Sequence, residues 1–326
     1  MKEFIITPND AGQRLDRWLA KAIPTLTTGT LQKSLRRKRI RCNGKVAKGE
    51  LRLTTGDILH LYINDEFFET PTREEGYLTI TTPKLTILYE DDHIILVDKP
   101  AGQLVHADEE GESNTTISHI QAYLYQKGEW KPEEEHSFSP SLCNRIDRNT
   151  GGIVISAKSA EGLRIMNEKI RDRQMKKEYL CIVHGTLKQK RGELTHFLVR
   201  DLERKQVSVF DRPCPNGKTA TTLYTVLAES EELSLLSCTL ITGRTHQIRA
   251  QFAHIGHPLL GDGKYGSLKQ NKKFGRTIQA LYSYRLTFEF TGESGCLQGL
   301  NGKVVTAEKV DFVSEFFPDY PKKKKI

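Results

Sequence analysis

The chain has 326 residues, a formal net charge of +8 and 37% hydrophobic residues, which predicts one sizeable domain plus a small one. It contains no run of eighteen apolar residues, which argues against a transmembrane helix, and its N-terminus lacks the residue order of a signal peptide. The six cysteines are scattered without a Cys-x-x-Cys pair. They predict reduced thiols in a cytoplasmic protein and give no indication of a metal site.

The positive charge is concentrated at the start of the chain. Residues 1–63 carry 13 Lys and Arg against 5 Asp and Glu, whereas the remaining residues carry 36 of each kind. A basic excess in the first fifth of the chain indicates electrostatic binding of a polyanion. A solvated helix face is the alternative, but such a face is more often mixed in sign.

The first predicted elements are two helices and a hairpin. Apolar residues recur with helical spacing over 12–23, so an amphipathic helix is expected to end before Pro24. A second helix follows with Thr30 as its N-cap, and then a hairpin over 40–47 turns at Asn43-Gly44. Residues 57–63 predict one more strand. The second helix and its end carry the basic residues Lys33, Arg36, Arg37, Lys38 and Arg39.

This arrangement of two helices and a small basic sheet resembles the S4-type RNA-binding domain over about residues 12–63. The resemblance implies a domain over 1–63 whose basic side chains bind RNA through Lys33, Arg36, Arg37 and Arg39. An acidic stretch follows, and its charge reversal predicts a linker over 64–84. A second domain is expected over 85–326, with a disordered basic tail at 322–325.

The second domain is predicted to be α+β, because its strands come in neighbouring runs rather than in strict βαβ alternation. Two strands are expected around an Asp91-Asp92 turn, and helices near 116–126 and over 160–174. Further strands are predicted over 179–183, 221–226, 234–241 and 284–290.

The stretch SLCNRIDRNTGGIVISAKS at 141–159 combines a charged loop with a short buried strand. Its loop holds Arg145, Asp147 and Arg148, and a glycine pair leads directly into the strand 153–155. Burying a lone carboxylate there costs several kcal/mol unless a cation offsets it. The alternative is a turn in which Asp147 caps backbone amides and the arginines face water.

Three more segments accompany this stretch: DKPAGQLVH at 98–106, KKEYLCIVHG at 176–185 and LITGRTHQIRAQFAHIGHPLLGDGKYG at 240–266. In this order and spacing they resemble the catalytic motifs of the RluA-type pseudouridine synthases, from about residue 85 onward. The resemblance implies a mixed, mostly antiparallel sheet and a reaction without a cofactor. Asn144 stands where the family usually has His, and Gly151 where Ser is frequent. Both departures lie outside the Arg-x-Asp core, so they bear on substrate detail rather than on the chemistry.

The resemblance also implies roles for individual residues. Asp147 is the required carboxylate, which attacks the sugar or the base or stabilises a sugar-derived intermediate. Tyr179 stacks on the target base and accepts or relays a proton. Arg145 enters the RNA stack when the uridine flips out, which costs a few kcal/mol; a phosphate contact is its alternative role. Arg244 is a further candidate RNA contact.

Arg249 is the candidate cation for Asp147. Thr245 is predicted to cap a helix that runs to residue 255, with Ile248 and Phe252 on its buried face. Arg249 then points beside that face into a dry cleft, where it keeps Asp147 ionised. A surface arginine is the alternative. The histidines of this segment, His246, His254 and His257, are expected to be structural rather than metal ligands.

The sequence therefore predicts a monomeric RNA pseudouridine synthase that does not associate with a membrane. The N-terminal domain favours large-subunit ribosomal RNA over transfer RNA as the substrate, on family resemblance alone. A catalytically silent RNA-binding or ribosome-assembly protein is one alternative, but it would have no need of a desolvated carboxylate. A hydrolytic nucleosidase or glycosidase is the other, and such enzymes generally use two carboxylates.

Overall fold

The computed structural model describes residues 1–68, 76–107 and 111–320. The middle of the predicted linker and the basic tail at 322–325 lie outside the described residues. Within the described ranges, no helix is long and apolar enough to cross a membrane.

The N-terminal part forms a small sheet and two helices, whose bounds are β1 (Lys2–Ile5), α1 (Leu15–Ala22), α2 (Thr28–Arg36), β2 (Ile40–Cys42), β3 (Lys45–Val46) and β4 (Ile58–Leu61). The strands pair in the order β1-β4-β2-β3. Leu15, Trp18 and Leu19 are buried, because their spacing puts them on one face of α1. Asn43 and Gly44 both have positive φ, at 51° and 76°, as a tight hairpin turn of the type I′ class requires. The predicted first helix and hairpin are confirmed.

The second helix starts earlier than the sequence predicts. Thr27, not Thr30, is its N-cap, and the Thr27 hydroxyl accepts a hydrogen bond from the Thr30 backbone N–H at 3.4 Å. Thr27, Thr28 and Thr30 are all good capping residues, so composition alone does not select among them.

The two ends of the predicted linker pack against different parts of the protein. Phe67 and Phe68 lie against the hydrophobic cluster of the N-terminal part, whereas Tyr77 is buried beside Trp130, with ring centroids 5.0 Å apart. The N-terminal part also contacts the rest of the chain directly. The Asn9 side chain accepts a hydrogen bond from the Ala160 N–H at 3.0 Å.

The described residues beyond 84 form a large sheet with helices on it. Their bounds are β5 (Ile87–Glu90), β6 (Ile94–Lys99), α3 (Thr116–Gln126), β7 (Ser141–Leu142), β8 (Gly151–Ala157), α4 (Ala160–Arg171), β9 (Met175–His184), β10 (Arg191–Asp201), β11 (Gln206–Phe210), β12 (Lys218–Glu229), β13 (Leu233–Leu240), α5 (Gln247–His254), α6 (Leu268–Lys273), β14 (Leu281–Phe288), β15 (Val304–Thr306) and α7 (Asp311–Phe316). The main strand order is β11-β10-β12-β13-β9-β14-β8-β6-β5. Among the described strands, β8 and β14 form the one parallel pair. The fold class is α+β with a mixed, mostly antiparallel sheet, as predicted.

Strand β8 lies between β14 and β6 in this sheet and is buried along its whole length. A side chain at Gly151 would bring its Cβ within 2.5 Å of the Tyr282 ring, and Gly152 has φ +111° against the backbone of Ser283. Gly151, the position where the family often has Ser, is therefore required here by packing against Tyr282. The strand anchors the loop that precedes it.

Candidate active site

The loop between β7 and β8 carries Asp147 at a cleft of about 450 Å³. Ile146 is buried next to it, and the Thr150 N–H donates to the Asp147 carbonyl at 3.0 Å. The Asn144 side-chain oxygen accepts a hydrogen bond from the Ile155 N–H at 2.7 Å. The loop is thus held by its own backbone and by β8, and Asn144, the second departure from the family pattern, has a structural partner.

A buried lysine ties this loop to the segment 98–106. The Lys99 ammonium group donates to the carbonyl oxygens of Pro100 at 2.9 Å, Gln103 at 2.8 Å and Arg148 at 3.0 Å. All three of its N–H donors are therefore used. Burial lowers the pKa of Lys99 to about 8, and the negative charge of Asp147 opposes that shift. Lys99 fixes the backbone directly after Asp147.

Arg249 lies beside Asp147. Its Nη1 donates to Asp147 Oδ2 at 2.7 Å, and the guanidinium is buried, whereas the Asp147 side chain is 28% exposed. The structure therefore brings the predicted carboxylate and cation together. The expectation of a dry pocket is wrong for the free protein, because the Asp147 side chain at the cleft is partly exposed to solvent.

A second carboxylate, Asp262, forms a bidentate ion pair with Arg249. Arg249 Nε donates to Asp262 Oδ2 at 2.7 Å and Nη2 donates to Oδ1 at 3.0 Å. Asp262 is completely buried, and its Oδ1 also accepts from the Lys264 N–H at 2.8 Å. Burial by itself would lower the pKa of Arg249 and raise that of Asp262. Their mutual attraction outweighs it, so the pKa of Arg249 is raised and that of Asp262 is lowered.

No sequence pattern singles out Asp262. It lies between two glycines in a turn, where an aspartate usually caps backbone amides. That capping is present here as well, and the additional bidentate contact depends on the tertiary position of α5.

Asp262→Asn should lower the single-turnover rate at saturating enzyme by about tenfold or more, because charge-assisted hydrogen bonds that orient Arg249 are worth about 1.5–3 kcal/mol each. RNA affinity should stay near that of the wild type, since Asp262 is completely buried. Asp211→Asn, which changes a carboxylate that is 75% exposed, is the control. A normal saturating rate for Asp262→Asn would contradict this orienting role.

The helix that carries Arg249 does not start as predicted. Thr245 is not the N-cap; His246 occupies that position with φ 51°, in the left-handed region, and makes no capping hydrogen bond with its side chain. Gln247 instead stabilises the turn before the helix, because its side-chain oxygen accepts from the Arg244 N–H at 3.0 Å and from the Thr242 hydroxyl at 2.8 Å. The cap prediction is wrong because a buried amide inside the helix satisfies the turn that precedes it.

His246 forms a second polar contact near Asp147. The Tyr265 hydroxyl accepts a hydrogen bond from the Val207 N–H at 2.9 Å, so its own proton is free to go to His246 Nδ1, 2.7 Å away. In that tautomer, His246 Nε2–H faces Asp147 Oδ2 at 3.8 Å. Burial lowers the pKa of His246 and raises that of Tyr265 to about 12. A neutral imidazole therefore lies next to the carboxylate without adding a fixed charge.

Tyr179 lies on β9 and packs in the same hydrophobic cluster as Ile146 and Ile248. Its hydroxyl has a polar partner, the side chain of Ser283. Burial raises the pKa of Tyr179 to about 12, against the effect of Ser283 and with that of the Asp147 charge. The phenol is thus protonated at neutral pH, which suits stacking and proton donation better than acceptance of a proton.

The predicted RNA contacts fall in two places. Arg145 and Arg244 are exposed and line the cleft, and Arg244 Nε donates to the Thr219 carbonyl at 3.1 Å. The N-terminal candidates lie away from the cleft, on α2 and just before β2. They are all exposed: Lys33, Arg36, Arg37 and Arg39.

Outside the cleft, the donor atoms of His196, Asp211 and His254 lie within 4.8 Å of one another, a spacing that could hold a metal ion. His254 Nε2 and Asp211 are already hydrogen-bonded at 2.8 Å, and His257 Nδ1 lies 2.9 Å from the His184 carbonyl. The predicted structural histidines therefore have protein partners. The expectation that the protein uses no metal remains a prediction.

The geometry agrees with comparisons to known proteins. A family model described as RNA pseudouridylate synthase matches residues 93–254. An uncharacterized RNA pseudouridine synthase of Chlorobaculum parvum is 32% identical over 86% of this chain and 88% of its own. The ribosomal large subunit pseudouridine synthase C of Escherichia coli is 29% identical, with 89% of each chain covered. A solved structure, human RNA pseudouridylate synthase domain containing 4, shares the fold with a TM-score of 0.56 at 20% identity, over 73% of this chain and 94% of that one. This chain is a member of the RNA pseudouridine synthase family.

Proposed function

We propose that the protein isomerises specific uridines of large-subunit ribosomal RNA to pseudouridine and that Asp147 is its essential carboxylate. The observation that carries the proposal is the Asp147–Arg249–Asp262 arrangement, which opens into a cleft containing Tyr179. The similarity to a ribosomal large subunit enzyme along almost the full length of both chains supports the substrate class.

The reaction needs no oxidant or reductant. The bond between uracil N1 and C1′ breaks, a bond between C5 and C1′ forms, C5 loses its proton and N1 gains one. Asp147 either attacks the sugar or the base or stabilises the sugar-derived intermediate. Arg249 orients it through one hydrogen bond, while Asp262 balances the guanidinium charge. The guanidinium thus bridges two carboxylates, and its second partner, Asp262, keeps it in the position from which it contacts Asp147.

Two further side chains act on the RNA in this proposal. Tyr179 provides a flat, protonated ring for the flipped uracil, and Arg145 fills the space that the uridine leaves in the stack. Flipping costs a few kcal/mol, and a planar guanidinium recovers part of this by stacking on neighbouring bases. The exposure of Arg145 at the cleft supports this role.

The alternatives fit the cleft less well. A hydrolytic glycosidase would need a second carboxylate flanking the bond. Among the described residues that line this cleft, Asp147 is the one carboxylate, and Asp262 is buried against Arg249. A silent RNA-binding protein would not require an aspartate oriented by a buried arginine.

We further propose an S4-type RNA-binding domain at 1–63, a linker at 64–84 and a catalytic domain at 85–326, in a monomer that works in the cytoplasm without a membrane or cofactor. A separate hydrophobic cluster in the N-terminal part supports this division, and the free state of all six cysteines is compatible with a reducing compartment. Lys33, Arg36, Arg37 and Arg39 would follow the RNA backbone, with Arg244 adding a contact at the cleft.

Mapping pseudouridine in ribosomal and transfer RNA from cells with and without the gene tests this function. We expect a small set of sites in large-subunit ribosomal RNA to be lost on deletion and restored by the wild-type gene. Loss confined to transfer RNA would overturn the substrate assignment.

Replacing Lys33, Arg36, Arg37 and Arg39 together by glutamine should weaken RNA binding and flatten its dependence on the logarithm of salt concentration. Each lost phosphate contact should reduce the slope by about 0.7–0.9. The control replaces four exposed lysines elsewhere, Lys188, Lys269, Lys272 and Lys309, and removes the same charge. Salt titrations of both variants distinguish the loss of specific phosphate contacts from the general loss of positive charge. Equal slopes for the two variants would contradict the assignment of this surface.

A further inference from the structure

The sequence Lys176-Lys177-Glu178 in β9 puts its charges on opposite faces of the sheet, because side chains alternate along a strand. Lys176 Nζ lies 3.3 Å from Glu178 Oε1, and Arg285 lies 3.6 Å from the other oxygen of that carboxylate. Both carboxylate oxygens of Glu178 therefore have cationic partners on that face of the sheet. Lys177 is on the other face, where it lines the cleft together with Tyr179.

Lys177 is half-buried and has neither a hydrogen-bond acceptor nor a carboxylate partner among residues 1–68, 76–107 and 111–320. Other cations at the cleft differ: Arg249 is paired with two carboxylates, and Arg148 lies 3.4 Å from Glu112. Arg145 and Arg244 have no carboxylate partner among the described residues, but both are exposed to water. Burial lowers the pKa of Lys177. A partly desolvated ammonium group without a counter-ion destabilises the folded state, so its position in the cleft favours binding of an anion from outside.

Asp147 does not serve as that anion. Its carboxylate is bonded to Arg249 at 2.7 Å, and Lys177 forms no ion pair with it although both line the cleft. Lys177 is therefore not bonded to the reacting carboxylate. This favours contact with a part of the substrate next to the reacting uridine over a proton-transfer role at the sugar.

We propose that Lys177 binds a backbone phosphate of the RNA adjacent to the flipped uridine. The proposal rests on the proposed function, because phosphodiesters are the anionic groups that an RNA substrate brings into the cleft. Two positions along a strand span about 7 Å. One strand, β9, would therefore bind both the base, through Tyr179, and the neighbouring phosphate, through Lys177. The contact would fix the register of the RNA rather than take part in the chemistry.

Lys177→Met keeps most of the apolar stem and removes the charge. We expect it to weaken binding of unmodified large-subunit ribosomal RNA, transcribed in vitro, by about tenfold and to reduce the salt slope by about one unit. The single-turnover rate at saturating enzyme should be retained. Lys176→Met is the matched control, because it removes the same charge from the opposite face, and it should change neither quantity.

Lys177→Arg separates a cation from a proton acceptor. An arginine restores the charge but stays protonated, so a phosphate contact predicts near-normal affinity and rate. Normal affinity with a lost saturating rate in Lys177→Arg would assign Lys177 to proton transfer and overturn the proposal. Lys177→Met should also unfold at the same or a higher temperature than the wild type. A lower unfolding temperature together with unchanged affinity would mean a structural role only.

The sharpest test neutralises the phosphate instead of the lysine. Short RNAs that span the mapped uridine would each carry one methylphosphonate in place of a neighbouring phosphate. One of these should weaken binding to the wild type and to Lys176→Met, but have little further effect on Lys177→Met. Equal losses for all three proteins at every position would overturn the contact. Absence of pseudouridine with the wild type would instead refute the proposed function, and the binding comparison, which needs no turnover, would still decide on Lys177.

Discussion

Asp147→Asn should abolish pseudouridine formation while leaving RNA affinity within a few-fold of the wild type. The amide keeps the shape of the carboxylate and can still contact Arg249, but it is neither an anion nor a competent nucleophile. Binding should persist, because the basic residues of α2 and of the cleft rim are unchanged. Site-resolved quantification of pseudouridine, together with a binding titration on the same RNA, measures both quantities.

Asp211→Asn again supplies the control, since it removes an exposed carboxylate outside the cleft. It should turn over normally. Substantial residual turnover by Asp147→Asn would rule out Asp147 as the essential carboxylate. Loss of both turnover and binding would instead indicate that the loop between β7 and β8 had lost its conformation.

Arg249→Met should lower the saturating single-turnover rate by orders of magnitude. The methionine keeps much of the apolar stem but leaves two carboxylates, Asp147 and Asp262, without the guanidinium that lies between them. Breaking a buried ion pair from one side costs about 3–5 kcal/mol, so unfolding must be monitored in parallel. Arg249→Lys keeps the charge without the planar fork, and it should retain some activity and most of the stability.

A phosphate anchor at position 249 would behave differently. Affinity would fall, the salt slope would drop by about one unit, and the rate at saturating enzyme would survive. We expect the reverse for Arg249→Met, with a nearly unchanged slope and a collapsed rate. A methionine variant that turns over normally once saturated would mean that Arg249 does not orient Asp147.

Local sequence patterns and family resemblance predict the reacting carboxylate and its cation. Asp147 and Arg249 are 102 positions apart, and both were expected at one cleft, where their side chains are 2.7 Å apart. Asp262 and Lys99 lie in two of the quoted segments, but the sequence predicts no role for either, because their partners are remote in sequence or are backbone carbonyls. A buried lysine bonded to three carbonyls leaves no local signature in a sequence.

The same holds for the fold: elements set by local sequence are predicted, and elements that depend on remote partners are not. Strand β8 follows from its β-branched run, and the hairpin follows from Asn43-Gly44. Strand β10 was not predicted, although Leu194, His196 and Leu198 alternate with more exposed residues along it. Charged and polar residues interrupt that pattern, so the alternation alone does not predict a strand. It is the pairing with β12 that fixes the segment as a strand. The two cap predictions, Thr30 and Thr245, are wrong for different reasons. Thr27 caps α2 in place of Thr30, whereas α5 has no side-chain cap and Gln247 stabilises the turn that precedes it.

The most direct test of the account incubates the purified wild-type protein and Asp147→Asn with unmodified large-subunit ribosomal RNA in the presence of a metal chelator. Pseudouridine is then quantified at each position. The account predicts conversion of a few specific uridines by the wild type, without any added cofactor, and no conversion at those positions by Asp147→Asn. Conversion by both proteins, or by neither, would contradict it.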